Sequence, residues 1–185
     1  MIIDPKDYFS SVEDAITWIS SKDVKRAVDI LQAAREAMAR VWIVGNGGSA
    51  ALASHFANDL LKMGGVDATA LTDAMPTVSA FGNDTGWENM FFGPLELLFS
   101  PGDVLVAISC SGKSKNVLNA AARIAAMGGI LIVLTGNSEG NLLVRHTRSR
   151  VDVALFVDSN DIRVQEDCHA IICHAIAGML ASTKV

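Results

Sequence analysis

Two loops rich in glycine and serine, and two helical pairs of histidine and carboxylate, are the residues of this 185-residue chain best suited to chemistry. The first loop, Gly45-Asn46-Gly47-Gly48-Ser49-Ala50, directly follows an apolar strand-like run and opens a helix-like one. Its glycines allow a tight turn and close approach of a ligand, and a helix start offers unpaired N–H groups. The second loop, Ser109-Cys110-Ser111-Gly112-Lys113-Ser114, also joins strand to helix. Its three hydroxyls and neighbouring N–H groups suit a phosphate monoester. His55 and Asp59 are i,i+4 on the helix after the first loop, about 40° apart and so on one face. Glu166 and His174 are i,i+8 on the last helix, about 80° apart and two turns distant. Gln165 lies nearly opposite His174, so Glu166 is the better geometric partner. Brought together, the two helices would give two imidazoles and two carboxylates, a set suited to Zn2+ or another divalent metal.

Other chemistries fit these loops less well. The first loop satisfies G-x-G-x-x-A, the fingerprint of a dinucleotide-binding turn. That reading wants an acidic residue ending the second strand, about 20 residues on. Asp67 precedes that strand and Asp73 follows it, so no nucleotide cofactor is expected. Gly112-Lys113-Ser114 suggests a nucleotide P-loop, but that motif needs glycine where Ala107 stands inside a strand. Plainer readings stay open at single positions. The first loop could be an ordinary strand-to-helix turn, His55 a polar neighbour of a phosphate, and Asp59 a solvated acid. His174, among Ile171, Ile172, Ala175 and Ile176, could be a core histidine. His169, about 140° around the helix from His174, is assigned to solvent or a subunit boundary. His146 is assigned to the surface, and Cys168 and Cys173 to small buried apolar groups.

The elements that must position these residues follow from the apolar pattern. Phe9, Val12, Ile16 and Ile19 recur at helical spacing, as do Val24, Val28, Leu31 and Ala34. Strands and helices then alternate: strands over 41–45, 68–71, 104–108, 129–134 and 151–157, and helices over 49–62, 114–127 and 161–180. The stretch 77–99 reads as largely helical, interrupted by turn residues near 82–86. Alternating units with continuous apolar strands predict an α/β fold: a three-layer sandwich around a five-stranded parallel sheet, covered on both faces. One domain is expected over 1–185, with N-terminal helices in 1–40 and a doubly wound core over 41–181. Both loops then lie at the carboxyl ends of strands, where such sheets bind ligands.

Composition bounds the function. Half the residues are hydrophobic and 19% are charged, which excludes a disordered chain. A net charge of −5 argues against a general nucleic-acid binder. The apolar runs are strand-length, too short to span a bilayer, and no signal peptide is visible. Three cysteines without a C-x-x-C pair point to a reduced, cytoplasmic protein rather than a disulfide framework.

From 41 to 177 the chain resembles the sugar isomerase (SIS) domain family, and within it the phosphoheptose isomerases. The residues that carry the likeness are Gly45-Asn46-Gly47-Gly48-Ser49, His55-Phe56-Ala57, Gly82-Asn83-Asp84, Ile108-Ser109-Cys110-Ser111-Gly112 and Glu166-Asp167-Cys168-His169, followed by His174. The resemblance implies a homotetramer with active sites near subunit boundaries and conversion of sedoheptulose 7-phosphate to a heptose 7-phosphate. It implies phosphate contacts from Ser109, Ser111 and Ser114, with Cys110 in the same loop, and sugar contacts from Ser49 and Asp84. Asn46, Gly47 and Gly48 of the first loop complete the expected substrate site. Metal ligation is implied at His55, Asp59, Glu166 and His174. The chain departs from the family pattern twice, since resembling enzymes carry glutamate at 59 and glutamine at 166.

An aldose–ketose isomerisation moves a proton between C1 and C2 through an enediol(ate). It needs a base at the carbon proton and a group that stabilises charge on the oxygens. Asp59 or Glu166 is the expected base, with His174 as acid–base partner. The alternative is a non-catalytic module of the same fold that senses a sugar phosphate or docks on a partner such as a replication initiator. The retained histidines and carboxylates favour the enzyme.

Overall fold

The computed structural model describes residues 4–136, 141, 143 and 151–183. Two capped helices begin the chain. Asp4 accepts the Lys6 N–H ahead of α1 (Pro5–Thr17), and Ser20 accepts the Asp23 N–H ahead of α2 (Ser21–Glu36). Then come β1 (Val41–Val44), α3 (Gly48–Asp59) with a π-type turn over Leu60–Gly64, and β2 (Ala68–Ala70). Helices α4 (Met75–Thr85) and α5 (Phe92–Leu98) precede β3 (Val104–Ser109) and α6 (Lys115–Ala126). The chain closes with β4 (Ile130–Gly136), β5 (Val153–Val157) and α7 (Ile162–Ser182). Asp161 caps α7 by accepting the Arg163 N–H at 2.9 Å.

The five strands form one parallel sheet in the order β2-β1-β3-β4-β5. Alternation along the strands divides the core between its two faces. Val41, Ile43, Val104, Val106 and Ile108 pack with α2, α3 and α7, while Trp42, Val44, Leu105 and Ala107 pack with α4, α5 and α6. This is the three-layer α/β sandwich that the strand pattern predicts.

The differences from the sequence reading are local. The stretch over 77–99 divides into α4, a 3₁₀ turn at Trp87–Asn89, and α5, with the break at Gly86, whose φ is +99°. Gly82 lies inside α4, and Pro76 in its first turn lets that helix begin earlier than expected. The apolar stripes of the first two helices have different fates. Val24, Val28, Leu31 and Ala34 are buried, whereas Phe9 and Ile16 of α1 stay exposed. No helix among the described residues is long and apolar enough to cross a membrane. His146, assigned to the surface, lies outside the described residues.

Candidate functional site

The strand order creates the site. From β1 the chain passes to β2 on one side and then returns to β3 on the other, so loops leaving β1 and β3 diverge and open a crevice. The two loops singled out by sequence flank this crevice. After β1 the chain joins α3 on one face of the sheet, and after β3 it joins α6 on the other.

Both helices start without a side-chain cap. Gly47 holds the N-cap of α3 with φ +54°, a left-handed conformation that costs glycine little. Ser114 holds the N-cap of α6, but its hydroxyl makes no bond to that helix and lies 3.4 Å from Ser109 Oγ. First-turn N–H groups and the positive helix ends are thus available to an anion. The cleft between the loops has a volume of about 270 Å³ and is lined by Asn46, Gly47, Gly48, Ser49, Ser109, Cys110, Ser111, Ser114 and Glu166, together with Ile108 and Ile162. The Glu166 carboxylate lies against Gly48, where any side chain would run into it. Burial, and then the Glu166 charge, push the Cys110 thiol up to about 11, so it stays neutral. The Ser111 oxygen accepts the Lys113 N–H at 3.2 Å, which shapes the loop and leaves its O–H free to donate.

Two turns along the same helix pair lies a second group. His55 Nε2 is 3.1 Å from Asp59 Oδ2, His174 Nε2 is 3.8 Å from that oxygen, and the two Nε2 atoms are 3.2 Å apart. One donor atom from each residue falls within 4.8 Å of the others, so the three could hold a metal ion. Separations of 3.1–3.8 Å fit the edges of a tetrahedron with bonds of about 2.0–2.2 Å, as zinc takes to nitrogen and oxygen. Glu166 does not join this cluster. Eight residues along a helix is about 12 Å, and shared facing does not remove that distance.

Three other expected positions turn out differently. Asp84 is exposed near the end of α4, accepts a hydrogen bond from Asn83 Nδ2 at 2.8 Å, and does not line the cleft. His169 faces neither solvent nor an outer boundary: it is fully buried, with Nδ1 3.8 Å from Cys110 Sγ. The face of α7 opposite His174 turns inward toward the ends of β3 and β4, which explains this. Gln165, one turn earlier, is buried there too and donates to the Ser159 carbonyl at 2.5 Å. Cys168 and Cys173 are buried free thiols, as expected. Sequence reading missed Asn116, which is fully buried in the first turn of α6 and paired with Asn46. Its placement directly after the second loop was the available signal.

On the other side of Asn46 and Gly47 is a second concavity of about 290 Å³, bounded by Ser54, Asp73, Met75 and Phe91. It holds neither the serine loop nor the histidines.

Residues 7–136 match the family model described as the SIS domain. A phosphoheptose isomerase of Burkholderia pseudomallei is 33% identical over 162 residues, which are 85% of this chain and 80% of that protein. That of Halorhodospira halophila is 32% identical over 182 residues, 96% of this chain and 90% of the other. Among solved structures, a phosphoheptose isomerase from Francisella tularensis superposes with a TM-score of 0.88 at 27% identity, covering 96% of each chain.

Proposed function

The chain belongs to the SIS domain family, and from that premise we propose that it is an aldose–ketose isomerase of phosphorylated sugars, converting sedoheptulose 7-phosphate to a heptose 7-phosphate. One observation carries the reading: two uncapped helix starts, the hydroxyls of Ser49, Ser109, Ser111 and Ser114, and the Glu166 carboxylate share one cleft. A phosphate seated on the second loop accepts the serine O–H groups and the first N–H groups of α6. The sugar then runs past Gly47, Gly48 and Ser49, whose bare backbone lets it approach closely.

The reaction needs a carboxylate at the C1–C2 proton. Glu166 is favoured, because it lines the cleft while Asp59 is held between two imidazoles. His174 exchanges a proton with the sugar oxygens, and Asp59 orients both histidines. His55, Asp59 and His174 would hold Zn2+ or another divalent ion. When bound, such an ion supplies positive charge that stabilises an enediolate oxygen. Asp84, outside the cleft of its own chain, contacts sugar only across a subunit boundary. The exposed apolar side chains of α1, Phe9, Ile16 and the adjoining Trp18, support the homotetramer this requires. Three unpaired, buried thiols support a cytoplasmic setting.

The phosphate assignment is tested at Ser111. Replacing it by alanine weakens phosphosugar binding by about 1.5–3 kcal/mol, the range for hydrogen bonds to charged groups. Calorimetry with the unphosphorylated sugar should show almost no change. An equal loss for both ligands contradicts the assignment.

A further inference from the structure

The two ligand loops are joined by an amide pair that is buried at its Asn116 end. Asn46 Nδ2 donates to Asn116 Oδ1 at 2.9 Å, and Asn116 Nδ2 donates back to Asn46 Oδ1 at 2.8 Å. Asn116 has no solvent exposure, and each of its remaining valences is used. Its Nδ2 also donates to Met90 Sδ at 3.1 Å, and its Oδ1 also accepts the Val117 N–H at 3.0 Å. An amide offers two donors and two acceptor positions, so this one is saturated. One turn on, Asn119 Nδ2 donates to the Glu88 carbonyl at 2.9 Å and to Asn89 Oδ1 at 3.0 Å. The start of α6, which follows directly from the serine loop, thus grips both the first loop and the segment after α4.

We infer that Asn116 is a positioning residue: acting through Asn46, it sets the separation of the sugar-side loop from the phosphate-side loop. The inference rests on the reading of the cleft as the phosphosugar site. Asn46 and Gly47 form the wall between the cleft and the neighbouring concavity. An amide spent on Asn116 makes that wall rigid, and Asn46 serves the ligand by fixing the loop. Holding phosphate does not need the pair, because the serines and the α6 N-terminus belong to one loop. Bringing C1 and C2 to the base does need it, since that depends on the register between the loops.

The test compares the parent with Asn116→Ala, Asn46→Ala and the double variant. Asn116→Ala should lower kcat on sedoheptulose 7-phosphate by about a hundredfold, the effect of an ångström of misplacement, with the inhibition constant of inorganic phosphate moving less than about threefold. The double variant should be no worse than the poorer single one, because both remove one interaction. Multiplying losses, an inorganic-phosphate constant that worsens with kcat, or an unchanged kcat would overturn the inference. Should Asn116→Ala not fold, Asn46→Asp works from the partly exposed end. It sets a carboxylate oxygen against Asn116 Oδ1 and should give the same kcat loss with phosphate inhibition kept. If the parent turns over no phosphoketose, the proposed function fails, and hydrogen exchange decides the clamp. Faster exchange over 45–50 with 109–114 unchanged in the variants supports it, and exchange equal to the parent overturns it.

Discussion

At the scale of single residues, the two carboxylates have been given different surroundings. Asp59 is enclosed by His55 and His174, whereas Glu166 stands in the cleft beside Ser109, Ser111 and Ser114. The family resemblance implies glutamate at 59 and glutamine at 166, so aspartate would be one methylene shorter there and Glu166 would add a charge. Glu166→Gln keeps shape and removes charge, so kcat should fall by about 10²–10⁴-fold, the usual worth of a positioned base, with KM little changed. Asp59→Asn should cost less in kcat. Combining Asp59→Glu with Glu166→Gln gives the arrangement that the resemblance implies and should recover rate over Glu166→Gln alone. Steady-state kinetics on the three variants decides the matter; a larger kcat loss in Asp59→Asn would make Asp59 the base.

At the scale of elements, α7 does three jobs on three faces. Glu166 meets the cleft, His174 meets α3, and Gln165 with His169 plug the ends of β3 and β4. Burial pushes His169 down to about 4 from an ordinary 6.5, against a smaller opposing effect of the Thr135 backbone. The unfolded chain therefore takes up a proton between pH 6.5 and 4 that the folded chain refuses. The stabilisation is complete above pH 6.5 and is lost as pH falls toward 4. A shift of this size corresponds to at most roughly 3 kcal/mol across that window. Urea unfolding of His169→Gln against pH should show a flatter slope between pH 6.5 and 4 than the parent. An identical slope would contradict the burial account.

The same helix shows what the amino-acid sequence carries and what it does not. Periodicity and an Asp161 cap announce α7, and angular arithmetic separates His169 from His174 correctly. Angles alone do not say which face meets the sheet, and His169 faces inward rather than outward. Nor do they remove a two-turn rise, which keeps Glu166 away from His55, Asp59 and His174. The loops were legible because glycine and serine runs between strand and helix are local signals. Asn46 and Asn116 each adjoin one of these loops, but their pairing spans 70 residues and nothing local announces it.

At the scale of the whole molecule, α1 buries little beyond Ala15, while α2 is absorbed into the core. Of these two helices, the first is the one left with exposed large apolar side chains, Phe9 and Ile16, to share with another copy. Light scattering at micromolar concentration should give a tetramer, and Phe9→Glu should shift it to smaller species. A stable parent monomer would contradict the assembly and the cross-boundary role of Asp84.

The proposed isomerase moves a proton between adjacent carbons of a phosphoketose. The direct measurement is to incubate the protein with sedoheptulose 7-phosphate in deuterated water and follow the sugar by NMR. A heptose 7-phosphate product should form, with deuterium at the carbon next to the carbonyl. Both signals should be lost in His174→Ala, with phosphosugar binding retained. Neither product nor deuterium with the parent protein, or undiminished turnover in His174→Ala, would contradict it.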